Sequence, residues 1–330
     1  MRRTGIALAA LVVALAAPAA AVAKDPGRWR LAAKHTIPIQ WFQGMTHGGG
    51  ALFFDGIENG LYRATPTLKQ QRGVTDGRLI PPAVALAQKY NHIGDLSYDK
   101  REGGRVLLPL ECYDPNASPS NCAGTGAIGV ADPKTLAWRY DVTLADIPKA
   151  MWCEVSPDGS LLWTSADDDL LAYRTADITR AHAFPATPIQ PVRRLRGAVP
   201  PSGITGAAFF AGRLFLAGSQ DSTYQVWSVG AKTGTRRLEI ERTIHGESEG
   251  LDTVDALGGV LHWMIQPIDA HPTYAKSTIL SFFPHVTPHA AFRPGRLTAG
   301  QRTTLHVRVT AKVLGKAKPL AGATVRLLGK

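Results

Sequence analysis

Cys153-Glu154-Val155-Ser156-Pro157-Asp158-Gly159-Ser160-Leu161-Leu162-Trp163-Thr164 holds one unit of a pattern that recurs along the chain. A short triplet leads through a turn into an apolar run rich in Leu, Val, Phe and Trp. Pro157, Asp158 and Gly159 are turn formers, and the runs on either side have strand composition. Four other stretches repeat the plan. Gln43-Gly44-Met45 leads to Ala51-Leu52-Phe53-Phe54, and Gly94-Asp95-Leu96 to Arg105-Val106-Leu107-Leu108. Thr205-Gly206-Ala207 leads to Arg213-Leu214-Phe215-Leu216, and Glu249-Gly250-Leu251 to Val260-Leu261-His262-Trp263.

The middle residues of the triplets, 44, 95, 154, 206 and 250, are spaced 51, 59, 52 and 44 residues apart. The long second interval contains the loop between Cys112 and Cys122. Each unit has a third apolar run, such as Gly60-Leu61-Tyr62-Arg63, Leu170-Leu171-Ala172-Tyr173 or Tyr224-Gln225-Val226-Trp227-Ser228. A more polar fourth follows, such as Arg193-Arg194-Leu195-Arg196 or Leu238 to Ile244. In the latter, Leu238, Ile240 and Arg242 alternate with Glu239, Glu241 and Thr243, the pattern of an outer edge strand. Several short strands at such a period predict an all-β fold, a β-propeller of about five blades over residues 24–284. Trp29 to Ile39 looks like a fourth strand without a blade, and the last unit lacks one. The N-terminal strand is therefore expected to complete the final blade and close the ring. A sixth blade in residues 64–92, or an irregular β-sandwich, are the alternatives.

The ends of the chain read differently. Met1-Arg2-Arg3, the uncharged run from Ile6 to Ala17, Pro18 and Ala21-Val22-Ala23 form a secretory signal peptide over residues 1–23. Export is thus expected, with no transmembrane segment left after cleavage, so the protein is secreted or held at the cell surface. The formal charge of +11 also belongs to the ends, because His285 to Lys330 carries nine Lys or Arg and no Asp or Glu. The body is close to neutral and lacks the positive field that a phosphate backbone requires, so nucleic acid is not an expected partner. Cys112 and Cys122 flank a polar loop, and in an exported protein a disulfide between them is the first expectation, two free thiols the other. Cys153, at the start of an apolar run, reads as a buried, inert thiol.

The tail, residues 285–330, begins with a Pro-rich linker and a first short strand. Leu305, Val307 and Val309 alternate in a second strand, and Pro319 to Leu328 gives another. Leu297-Thr298-Ala299-Gly300-Gln301-Arg302-Thr303-Thr304-Leu305 followed by Pro319-Leu320-Ala321-Gly322-Ala323-Thr324-Val325-Arg326-Leu327 resembles the opening half of bacterial immunoglobulin-like surface repeats. A full sandwich of that type needs about seven strands and about 100 residues. The segment is therefore expected to be an incomplete Ig-like domain that continues beyond Lys330.

In a propeller the first residues of the innermost strands face a central channel. This brings together Gln43, Asp95, Glu154, Thr205 and Glu249, with His47, His92 and Glu247 nearby. Asp95, Glu154 and Glu249 could coordinate Ca²⁺, which takes oxygen ligands from mixed sources. Close carboxylates could instead raise one another's pKa and supply an acid or base, or each could cap backbone N–H groups of a neighbouring blade. Asp167-Asp168-Asp169 lacks EF-hand spacing and reads as a solvated hairpin tip, Gly48-Gly49-Gly50 as a turn, and no serine-hydrolase elbow or zinc pair is present.

The repeat as a whole resembles secreted bacterial β-propellers, a group that includes gluconolactonase-like and phytase-like enzymes as well as binding modules. It carries over no catalytic signature. The leading expectation is a non-enzymatic extracellular protein that binds a glycan, a cell-wall component or another protein, with the Ig-like tail as a spacer. The alternative is a calcium-dependent hydrolase of lactonase or phosphoesterase type.

Overall fold

Short consecutive strands joined by tight turns pair with their sequence neighbours, and each repeat becomes one antiparallel sheet. The computed structural model describes residues 27–319, apart from 57–59, 76–77, 115, 117–124, 221–222, 245, 267–275, 286–287, 294–305 and 314–315. The expected signal peptide, Cys122 and the segment after Pro319 lie outside the described residues, and so does the expected Cys112–Cys122 bridge.

Strand β1 (Trp29–Pro38) comes first. The first sheet is β2 (Gly44–Gly48), β3 (Ala51–Gly56), β4 (Gly60–Ala64) and β5 (Gln70–Val74), followed by helix α1 (Pro82–Gln88). In the second, the innermost strand is broken into β6 (His92–Ile93) and β7 (Ser97–Asp99), which both pair with β8 (Arg105–Glu111); β9 (Ala127–Ala131) and β10 (Trp138–Thr143) complete it. The third holds β11 (Glu154–Val155), β12 (Leu161–Ala166), β13 (Asp169–Arg174) and β14 (Arg193–Leu195). The fourth holds β15 (Gly203–Phe210), β16 (Arg213–Gln220), β17 (Thr223–Val229) and β18 (Arg236–Thr243). The fifth holds β19 (Glu247–Asp252), β20 (Leu261–Gln266) and β21 (Lys276–Pro284). Strands β22 (Pro288–Arg293), β23 (His306–Val313) and β24 (Lys316–Pro319) form a separate antiparallel sheet in the tail.

The five large sheets are the blades of a β-propeller, and β1 is the outer strand of the fifth, paired with β21 from Trp29 opposite Pro284 to Pro38 opposite Lys276. The ring is closed by the N-terminal strand, as the surplus strand in the sequence requires. The core lies between the sheets. Leu107, Ile128 and Val130 of the second blade, for example, pack with Leu162, Leu171 and Tyr173 of the third. A buried ion pair within the second blade reaches across the same seam through one of its partners. Arg105, fully buried, donates to Asp99 at 2.7 Å and to the Thr175 carbonyl of the third blade at 3.1 Å.

The sequence reading needs correction at two points. Between β4 and β6 the described residues hold β5 and α1 and no sixth blade, because β5 completes the first sheet. The alternation proposed for β18 fails at Glu239. A register shift puts Ile240 opposite Val226 but Leu238 opposite Trp227, so Glu239 has no partner across the ladder and turns inward. It is completely buried and accepts hydrogen bonds from Ser228 Oγ (2.5 Å), Arg237 Nε (2.8 Å) and the Trp29 indole N–H (3.3 Å). A bulge redirects a side chain in this way.

Trp29 thus anchors the closing strand. Its ring meets Phe210 and Phe215 edge-on, at centroid distances of 5.4 and 5.6 Å. Replacing Trp29 by Ala should cost about 3–5 kcal/mol, the usual range for a buried aromatic, read as a lower denaturant midpoint. A loss under about 1 kcal/mol would mean that β1 does not lock the ring.

Candidate functional site

At mid-height the innermost strands of all five blades are in direct contact, and glycines make this possible. A Cβ on Gly44 would lie 2.7 Å from the Asp95 Cα, and one on Gly250 would lie 2.8 Å from the Gly44 Cα. The side chain of Asp95, which is fully buried, points into this collar. Its Oδ1 accepts the backbone N–H of Met45 (3.0 Å), and its Oδ2 accepts those of Ala207 (2.8 Å) and Leu251 (3.2 Å). Its backbone joins the remaining blade, with Asp95 N donating to the Met151 carbonyl and Cys153 N donating to the Asp95 carbonyl. One residue of the second blade therefore bonds to all four others, and it plugs the axis.

Two more carboxyls lie at this level. Asp55 is fully buried, and neither of its oxygens has a well-formed hydrogen bond among the described residues. Burial, then the neighbouring Asp95, pushes its pKa well up. Glu249 accepts from Gln43 Nε2 at 3.3 Å and is likewise pushed up, first by burial and then by Glu247. Asp95 is raised by burial too, against the three N–H donors that pull it down.

On the hairpin side of the plug the axis opens into a cavity of about 440 Å³. All five blades wall it: Thr46 to Gly49 from the first, Ser97, Tyr98 and Lys100 from the second, Glu154 to Pro157 from the third, Phe209 from the fourth, and Asp252 and Thr253 from the fifth. His47 Nδ1–H donates to Asp252 at 2.9 Å, and Asp252 also accepts the Thr253 backbone N–H at 2.7 Å. The Asp252 charge, against burial, raises His47 to about 9. Glu154, partly open to the cavity, accepts from Ser97 Oγ (2.8 Å) and from Phe209 N–H (3.1 Å). Desolvation lifts it to about 8 despite the Ser97 hydrogen bond, helped by Asp252. Both groups hold their protons at neutral pH.

The expected site residues thus separate. His47 and Glu154 line the cavity, while Asp95 and Glu249 belong to the plug below it. Gln43 bonds to Glu249, and Thr205 donates to the Ser248 carbonyl at 2.7 Å, both tying blades together. His92 pairs with Glu111 at 2.7 Å within its own blade, and Glu247 is exposed at the start of β19. Among the described residues, no three His, Cys, Asp or Glu side chains are arranged to hold a metal ion. The hydrogen bonds that Asp95 and Glu154 accept are those of the capping role. Cys153 is buried, its thiol pushed up by burial, and Asp167 and Asp168 are exposed at the β12–β13 turn.

The sequence reading missed Asp55, Ser97, Tyr98, Lys100, Phe209, Asp252 and Thr253. The triplets mark the starts of the innermost strands, whereas the cavity is at the strand ends that lead into the hairpins. Alternation along β19 offered a signal for Asp252, which follows buried Leu251; nothing local marks Asp55, which sits on a second strand.

No protein-family model matches the chain, and no curated protein matches it. Among solved structures, glutaminyl cyclase of Myxococcus xanthus is 11% identical, with 78% of this chain and 97% of that one aligned at a TM-score of 0.49. The PQQ-bound aldose sugar dehydrogenase of Streptomyces coelicolor is 11% identical, with 78% and 100% aligned at 0.37. The WD40 repeats of RRP9 are 8% identical, with 77% and 99% aligned at 0.42. At these scores the likenesses carry no argument, and the five-bladed assignment rests on the strand pairing.

Asp95→Ala should orphan three buried N–H groups and cost roughly 3 kcal/mol or more. Asp95→Asn, which keeps one acceptor oxygen, should cost less. Equal stability of wild type and the Ala variant in urea would show that the plug does not hold the blades. The cavity predicts alkaline sensitivity. His47 contributes stability that is complete below 6.5 and is lost as pH rises through about 9, and Glu154 contributes a loss from 4.5 up to about 8. The melting temperature should fall from pH 7 to 9.5, and Glu154→Gln should flatten the earlier part of that fall.

Proposed function

We propose that this protein is an exported, non-enzymatic binding protein that takes a small polar ligand in the hairpin-side cavity of its propeller. The observation that carries the reading is a cavity of about 440 Å³ walled by all five blades and closed below by the Asp95 plug. That volume is within the range of small-molecule sites, and the walls combine apolar Phe209, Tyr98 and Pro157 with a few placed polar groups. The chemistry is unsuited to base-catalysed turnover. A general base has to be unprotonated at working pH, and His47 and Glu154 are both pushed above neutrality. The Ser97 hydroxyl is engaged, donating to Glu154 and accepting the Val155 N–H at 2.9 Å.

The signal-like N-terminus supports export, and no helix among the described residues is long and apolar enough to cross a membrane. The tail, with its resemblance to Ig-like surface repeats, serves in this reading as a spacer that presents the propeller. A terminal unit of a glycan or cell-wall polymer is a ligand of suitable size. The calcium-dependent hydrolase reading requires an ion among the axial acids.

Two measurements test this. Titration with a panel of neutral and acidic monosaccharides and amino acids should move the amide signals of Thr46 to Gly49, Ser97 to Lys100 and Asp252 to Thr253 together. Shifts confined to other surfaces would overturn the site. Calcium or EDTA should leave the melting temperature unchanged, whereas a calcium-dependent rise abolished by Glu154→Gln would favour the hydrolase.

A further inference from the structure

The cavity is rich in hydrogen-bond donors and poor in free acceptors. His47 commits Nδ1 to Asp252, and its Nε2 has no partner among the described residues. Lys100 lines the same cavity, and its ammonium has no ion pair or hydrogen bond among them. The cavity's two carboxyls and the Ser97 hydroxyl are engaged. Asp252 receives His47 and the Thr253 N–H, Glu154 receives Ser97 and Phe209, and Ser97 Oγ receives Val155 N–H. Two cationic groups therefore share the cavity with one ionised carboxylate, and a ligand that satisfies them must bring acceptor oxygens and a negative charge.

We infer that the cavity takes a small carboxylate, its oxygens bound by His47 Nε2–H and Lys100 Nζ at the rim. The inference rests on the ligand-binding reading above and specifies the class of ligand. Tyr98 and Phe209 provide apolar surface for the carbon frame, and the cavity volume leaves room for a body the size of a monosaccharide. The floor reinforces the choice. Glu154 keeps its proton near neutral pH, which removes a repulsive charge from the floor. The ionisable groups that act on His47 are Asp252, Glu154 and His262, and those that act on Glu154 include Asp252 and His47. Loss of the proton from Glu154 and then from His47 makes the cavity progressively negative, so carboxylate affinity has to fall as pH rises through about 8 to 9.

Glucuronate, galacturonate, lactate and glutamate, compared with glucose, galactose and inorganic phosphate, test the inference by calorimetry and amide shifts on the whole chain. At pH 7 at least one carboxylate should bind at the Thr46 to Gly49 amides, with its uncharged counterpart at least tenfold weaker. Lys100→Met and His47→Gln should each weaken that binding about ten- to hundredfold, as loss of a charge-assisted hydrogen bond does. Lys100 is exposed, so its variant tests the contact even if His47→Gln lowers stability. Between pH 7 and 9.5 the affinity should drop at least tenfold. If glucose or galactose binds in the cavity as tightly as its acid, the carboxylate assignment falls and the binding site stands. Phosphate binding as tight as any carboxylate also overturns the assignment. If no carboxylate in the panel moves the cavity signals, the assignment is overturned whatever else binds.

Discussion

A single carboxylate holds the centre of this ring. Propeller blades pack face to face through apolar side chains, but at the axis the innermost strands have exposed ladder edges whose N–H groups need acceptors. Asp95 supplies them: its two oxygens take N–H groups from the first, fourth and fifth blades, and its backbone pairs with the third. Hydrogen bonds to a carboxyl in a water-free setting are strong, and an unmet N–H there is costly. The glycine collar follows from the same constraint. Five blades leave so narrow an axis that Gly44 and Gly250 sit where any Cβ would collide with a neighbouring strand. The side chain that Gly250 lacks makes room for the Asp95 carboxyl, and the one that Gly44 lacks makes room for the Asp95 backbone and the Asp55 carboxyl.

The plug also makes a site. An open channel would let water reach the axial acids from both ends. Closed at Asp95, the axis leaves a one-ended cavity whose floor is desolvated. That floor lifts Glu154, while the Asp252 partner at the wall lifts His47. Two groups with opposite charge types are moved in the same direction for different reasons, burial in one and a counter-charge in the other. The result is a cavity that presents protons at neutral pH, which is a binding environment for oxygen acceptors and a poor one for base catalysis.

Much of this fold was legible because its signals are local. The turn at Pro157-Asp158-Gly159, the apolar runs after each triplet and their period are read within a dozen residues. The closing strand was legible by counting, since Trp29 to Ile39 had the character of an outer strand and the fifth unit lacked one. The site was less legible because propeller geometry sets it across long separations. His47 and Asp252 are 205 residues apart and meet only when the ring closes. Asp55 reads as the end of an ordinary strand, and its place beside Asp95 depends on the side chain that Gly44 lacks. Alternation puts Glu239 on the face opposite Leu238 and Ile240, and a bulge turns it inward to the Trp29 indole.

The triplets themselves show how one pattern can set its acids at different levels along the axis. Met45, Ala207 and Leu251, the third residues of three triplets, all aim their N–H at Asp95. In the third blade Cys153 provides the corresponding N–H, to the Asp95 carbonyl, and Cys153 is the first residue of its triplet. Glu154 therefore stands one residue above the plug and not in it. That offset puts its carboxyl at the cavity floor near His47 and Asp252, where it still accepts Ser97 Oγ and Phe209 N–H from the neighbouring blades. One residue of register along an innermost strand separates a structural acid from one that a ligand can reach, because successive positions on a strand face opposite ways and sit about 3.3 Å apart along the axis.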